Sequence, residues 1–76
     1  MGPEYVVIAE RRERATSEPE VTTSKPVSRA KARTVLARLI VAARKRCLPV
    51  VAEQEEITFA ERTNSETSVT VYIKRA

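Results

Sequence analysis

The sequence predicts an α+β domain in which one amphipathic helix packs on a small antiparallel sheet. Three observations support this class: a single stretch with helical periodicity in mid-chain, a pair of alternating segments after it, and a β-branched segment before it. A chain of 76 residues has room for one small domain, 1–76. The predicted order is ββαββ, or βαββ if the second strand is absent.

The front of the chain predicts a hairpin over residues 5–25. Residues 5–9, YVVIA, have the β-branched and aromatic content typical of a strand. Pro19 favours a turn because its ring fixes φ. Residues 21–25, VTTSK, form the second strand candidate, although Pro26 follows at once and removes a backbone donor.

The helix is predicted over residues 28–47. Ser28 precedes the periodic run and is the expected N-cap, while Pro49 is expected to end the helix. At about 100° per residue, the apolar side chains fall on one side. They are Ala32, Val35, Leu36, Leu39, Ile40, Ala42, Ala43 and Cys47.

Residues 56–75 predict a second hairpin. Ile57 and Phe59 share one face of its first strand, and apolar residues alternate with Thr70, Tyr72 and Lys74 in SVTVYIK. Asn64 and Ser65 suit a tight turn, since Asn tolerates positive φ. Residues 49–54, PVVAEQ, are interpreted as a connector with room for a short extended piece.

The two hairpin segments resemble each other. VVIAERRERATSEPEVTT and ITFAERTNSETSVTVY share an Ala-Glu-Arg strand, a Ser-Glu turn region and a Val-Thr return. Because these residue types are abundant in the chain, chance similarity and internal duplication both stay open.

Missing residue types exclude most catalytic and metal chemistry. The chain has no His and no Asp, which excludes Cys/His zinc sites, Ser-His-Asp triads and Asp-rich cation loops. Gly2 is the only glycine, so a glycine-rich phosphate loop is excluded. We therefore expect no catalytic residue, no metal, no cofactor and no small-molecule substrate. Cys47 is a single cysteine expected to pack in the core, and Glu53, Glu55 and Glu56 are expected to be a solvated connector.

Positive charge is concentrated in the helix. Residues 25–46 hold eight Lys or Arg and no acidic residue, whereas the rest of the chain holds six basic and ten acidic residues. The residues predicted to bind an acidic partner are Lys31, Arg33, Arg38, Arg44 and Lys45 on the helix, with Tyr72 and Lys74 as additional candidates on the last strand. With a net charge of +4, nucleic acid is the first expected partner.

Two other functions are weighed against nucleic-acid binding. The same surface suits a protein-binding adaptor or inhibitor that engages an acidic protein, and the composition resembles that of small accessory proteins of high-GC phages. The final strand-like VTVYIKR resembles small toxin ribonucleases that work without His, which implies an enzyme as the third-ranked hypothesis. A homodimer is compatible with a sheet that only one helix covers.

The amino terminus predicts no export or membrane insertion. MGPEYVVIAERR lacks the pattern of a signal peptide, since its apolar run is short and charge follows it. The longest apolar run in the helix, LIVAA, is far shorter than the ~20 residues that a bilayer span needs. We expect a cytoplasmic protein that is neither secreted nor membrane-bound.

Overall fold

The computed structural model describes residues 2–53, 55–64 and 66–76; at residues 50–53 it describes the backbone only, so statements about side chains exclude these four. These residues form one helix and one sheet, as expected for the α+β class, but with an additional strand. The elements are β1 (Tyr5–Arg12), β2 (Glu20–Thr23), α1 (Arg29–Arg44), β3 (Cys47–Glu53), β4 (Glu56–Glu61) and β5 (Ser68–Arg75).

The sheet has the strand order β2-β1-β5-β4-β3, and every neighbouring pair is antiparallel. The strands β2 and β3 therefore lie at opposite edges and run in the same direction. A tight turn cannot join two such strands, so α1 carries the chain from one edge to the other across one face. This crossover places the whole outer surface of the helix on one side of the molecule.

The helix begins where the sequence predicts and ends earlier. Ser28 is the N-cap, in an extended conformation, and its Oγ accepts a hydrogen bond from the Lys31 N–H at 3.3 Å. The predicted end at residue 47 is wrong: α1 ends at Arg44, and Cys47 begins β3. Cys47 lies in the sheet, on the side that faces the helix, and is buried there. Helical periodicity also predicts a buried Cys47, so the apolar pattern does not distinguish the last turn of a helix from the first residue of this strand.

The connector predicted at residues 49–54 is largely a strand, so the predicted order ββαββ gains one strand and becomes ββαβββ. β3 pairs with β4 from Cys47↔Glu61 to Glu53↔Glu56, with a register shift between Pro49 and Val51. Pro49 is tolerated because β3 is an edge strand, where a missing backbone donor leaves no neighbour unpaired. Gln54, at the end of the predicted connector, and Ser65, in the predicted turn, lie outside the described residues.

The core lies between α1 and one face of the sheet. Phe59 is fully buried at its centre and packs with Val7 and Val71 from the sheet and with Ala32 and Leu36 from the helix. Alternation then places Tyr72 and Lys74 on the opposite, open face. Both predicted hairpins form, β1 with β2 and β4 with β5.

The similar segments of the two hairpins are out of phase in the sheet. Val7 faces the helix, whereas the aligned Thr58 bonds Thr70 on the open face, with 3.1 Å between their hydroxyl oxygens. Ile8 and the aligned Phe59 likewise lie on opposite faces, although both are buried. The two segments are therefore similar in composition, but aligned residues do not face the same side of the sheet.

Candidate nucleic-acid interface

All five basic residues predicted on the helix are exposed to solvent. Lys31, Arg33, Arg38 and Arg44 lie within α1, and Lys45 is its C-cap and keeps helical dihedral angles. The apolar side of α1 is occupied by the core, with Ala32 and Leu36 buried. The helix is therefore two-sided as predicted, with its cations on the side away from the sheet.

The cations form two rows on either side of a neutral ridge. Lys31, Arg38 and Lys45 succeed one another every seven residues, which spaces them by about 10 Å along the helix. Arg33 and Arg44 lie on the other side. At about 100° per residue, each row is roughly 65° from the ridge between them. That ridge consists of Ala30, Thr34, Ala37 and Val41, all exposed.

The ridge presents small and uncharged side chains. Val41, at the carboxyl-terminal end of the ridge, is 58% exposed. Thr34 donates its hydroxyl hydrogen to the Ala30 carbonyl at 3.2 Å. Ala30 and Ala37 add only a methyl group each. A partner can therefore approach the helix backbone closely along this line, while longer cations reach out on both sides.

Arg33 differs from the other four cations because a carboxylate contacts it. Glu55 lies 3.4 Å from Arg33 Nε and 3.0 Å from Arg29 Nη2, so one acidic side chain bridges two arginines at the start of the helix. Glu55 was expected to be solvated, and its side chain is instead 29% exposed. Among the described residues, Lys31, Arg38, Arg44 and Lys45 have no acidic side chain within ion-pair distance.

Tyr72 and Lys74 lie on the far side of the sheet from these rows. The Tyr72 hydroxyl donates to Glu10 Oε1 at 3.2 Å, and the ring is half-buried. Partial burial raises the pKa of Tyr72, and the hydrogen bond to Glu10 raises it further. The structure therefore does not bring Tyr72 and Lys74 together with the helix cations.

The open face of the sheet carries charges of both signs. Its strands β1, β5 and β4 present Arg12 and Lys74 together with Glu10 and Glu56, two cations and two carboxylates. The Arg12 guanidinium is also held by a hydrogen bond to the Ser17 carbonyl at 2.7 Å. This face offers an anionic partner no net attraction comparable to that of the helix.

The sequence pattern missed a second group of cations at the carboxyl-terminal end of the helix. Arg11, Arg46 and Arg62 come from β1, the α1–β3 turn and the β4–β5 loop, and they line a cavity together with Lys45. Their separation along the chain hides them from any periodicity analysis, because only the sheet order brings them together.

Comparison with known proteins adds no assignment. No protein-family model matches the chain, and neither a curated protein nor a solved structure matches it. Within the described residues, α1 has neither the length nor the apolar content that crossing a membrane requires.

Proposed function

We propose that this protein is a non-catalytic binding module that holds duplex DNA on the outer surface of α1. The observation that carries the proposal is the row of Lys31, Arg38 and Lys45, which has no acidic partner among the described residues. When such cations contact phosphates, the counterions condensed on the DNA are released into solution. This release is the main source of affinity in sequence-independent DNA binding.

The arrangement of the rows favours a duplex over a single strand. A helix of about 10–12 Å diameter fits the major groove of B-form DNA, which is about 12 Å wide. With the ridge at Ala37 and Val41 directed into the groove, Arg38 and Lys45 reach one phosphate backbone and Arg44 reaches the other. A single strand would use one row only.

The same geometry disfavours double-stranded RNA. The major groove of A-form RNA is deep and narrow, so a helix flanked by long cations cannot enter it. The small side chains of the ridge make few hydrogen bonds with base edges, so we propose that binding depends weakly on DNA sequence.

The direct test is fluorescence anisotropy with a labelled DNA duplex, its separated single strand and an RNA duplex of the same sequence and length. We expect the DNA duplex to bind at least tenfold more tightly than either competitor at the same low salt concentration. Equal affinity for the single strand would contradict the arrangement of two rows. No binding to any of the three would contradict nucleic-acid binding itself.

A second candidate is an acidic helical segment of a partner protein. The ridge residues Ala30, Thr34, Ala37 and Val41 are spaced by four, three and four residues, which is the spacing of a seam between paired helices. Glutamates on the partner would then meet the two cationic rows. A pull-down from nuclease-treated lysate distinguishes the two candidates: one protein retained in stoichiometric amount favours this alternative.

A further inference from the structure

A cavity of about 590 Å³ opens between the carboxyl-terminal half of α1 and the ends of the strands beneath it. Its walls include six apolar or small residues: Leu39, Ala42, Ala43, Cys47, Val69 and Val71. Two of the helix positions in this wall, Ala42 and Ala43, contribute only a methyl group each. The volume lies within the range of about 300–1,000 Å³ that is typical of small-molecule sites.

The rim of this cavity is strongly basic. Arg11, Lys45, Arg46 and Arg62 contribute four cations, and Glu61 is the one carboxylate in the lining. Glu61 already contacts Arg11, with 3.5 Å between Oε1 and the guanidinium. Among the described residues, the other three rim cations have no carboxylate within ion-pair distance.

Backbone hydrogen bonds fix the residues of the rim relative to each other. The Arg62 N–H donates to the Arg46 carbonyl at 3.1 Å, which joins the β4–β5 loop to the turn after the helix. The Arg46 N–H in turn donates to the Ala43 carbonyl at 3.0 Å, and the Glu61 N–H donates to the Thr67 carbonyl at 3.0 Å. Two of the cations therefore converge on the cavity from adjacent backbone positions that are already bonded to each other.

We infer that this cavity binds a small amphipathic acid, a molecule with an apolar body and a single anionic head. The apolar walls would bury the body, which is favourable because apolar surface is removed from water. The head would lie at the mouth, where Arg46 and Arg62 donate charge-assisted hydrogen bonds to a carboxylate or phosphate. A ligand with a cationic head would be repelled by the three rim cations that have no carboxylate partner among the described side chains, so the sign of the head decides binding.

The proposal is tested by isothermal titration calorimetry of the full chain with four single-chain probes below their micelle concentrations. Decanoate and decyl phosphate supply the apolar body with an anionic head, decyltrimethylammonium reverses the charge, and acetate supplies the head alone. We expect saturable binding at one site for the first two probes and at least tenfold weaker binding for the other two. No nucleic acid is present, so the result is independent of DNA binding.

Two pairs of variants locate the site. Ala42→Phe places a ring in the cavity, and Ala37→Phe makes the same change at another exposed position of the same helix. Arg62→Gln removes a rim cation, and Arg75→Gln removes an exposed cation at the other end of β5. We expect the first member of each pair to weaken decanoate binding about tenfold or more and the second to leave it within twofold of the original value.

The proposal is overturned if neither anionic probe binds, if the cationic probe binds as tightly, or if Ala42→Phe binds as well as Ala37→Phe.

Discussion

The outer surface of the helix and the open face of the sheet are both exposed, yet they carry charge differently. On the helix, Lys31, Arg38, Arg44 and Lys45 have no acidic side chain within ion-pair distance in the described part of the chain. On the sheet, Glu10 and Glu56 balance Arg12 and Lys74 within the same few strands. One surface therefore projects a positive field into solvent, and the other largely cancels its own.

This difference has a structural cause. Neighbouring strands of a sheet bring residues from distant parts of the chain side by side, so the acidic and basic segments of this sequence mix on the open face. A helix exposes only its own residues, and residues 25–46 contain no acidic side chain. The run of positive charge in the sequence therefore stays together as one positive surface only on the helix.

Reversing two charges on the helix gives the largest expected effect, and two reversals on the last strand serve as its comparison. Arg38→Glu with Lys45→Glu should weaken duplex DNA binding at least a hundredfold, because two phosphate contacts are replaced by repulsion. Lys74→Glu with Arg75→Glu makes the same change in net charge on the last strand and should cost less than about fivefold, through the screened long-range field. Anisotropy titrations compare the two, with circular dichroism as a control for folding. Equal losses would show that net charge, and not the helix surface, determines binding.

A change at Lys31 should separate binding from stability. Its N–H is the one that Ser28 Oγ caps, so Lys31→Glu completes a Ser-x-x-Glu capping box and places a negative charge near the positive end of the helix dipole. We expect a gain of about 0.5–1 kcal/mol in the free energy of unfolding, measured with urea, and about tenfold weaker DNA binding.

Lys25→Glu is the matched control, since it reverses one exposed charge outside the helix. It should leave the free energy of unfolding almost unchanged and should weaken DNA binding less than Lys31→Glu does. If Lys31→Glu is stabilised and still binds DNA as tightly as the original chain, the row of Lys31, Arg38 and Lys45 is not the contact surface.

Removing the negative charge of Glu55 should strengthen binding modestly. Glu55 contacts Arg29 and Arg33, so Glu55→Gln releases two guanidinium groups towards phosphate. We expect about two- to threefold tighter duplex binding, with a loss of no more than about 1 kcal/mol of stability, as is usual for exposed ion pairs. Glu56→Gln, the neighbouring change on the open face, should not alter affinity.

The smallest effect is expected at Tyr72 and concerns pH. The pKa of Tyr72 is raised in the folded protein by partial burial and by the hydrogen bond to Glu10. The unfolded chain therefore loses this proton first, so stability is present below about pH 10 and falls as pH rises through the raised pKa. Tyr72→Phe should reduce that fall in urea unfolding, cost about 1 kcal/mol at neutral pH and leave DNA affinity unchanged.

Local signals predicted much of this fold. Ser28 marked the N-cap, the helical period identified Ala32 and Leu36 as core residues, and alternation assigned Phe59 and Val71 to the buried face. These features depend on residues close together in the chain, so they can be inferred from the sequence. The charge segregation that defines the helix surface is likewise a local property of residues 25–46.

Features that depend on sheet pairing could not be predicted in the same way. β3 contains Pro49, which opposes a strand assignment unless the strand is known to lie at an edge, and only its pairing with β4 defines it. The order of strands in the sheet also determines which distant residues meet. It brings Glu55 to Arg33, and it brings together the cluster of Arg11, Arg46 and Arg62. Tyr72 was placed on the correct face, but its hydrogen bond to Glu10 follows from register.

The salt dependence of duplex DNA binding tests the central claim most directly. With the unmodified chain titrated onto a labelled duplex at several salt concentrations, the logarithm of the association constant should fall with the logarithm of salt at a slope of about −3 to −4. This slope follows from the four helix cations that have no acidic partner among the described side chains. An association constant that stays the same from low to high salt would contradict binding through Lys31, Arg38, Arg44 and Lys45.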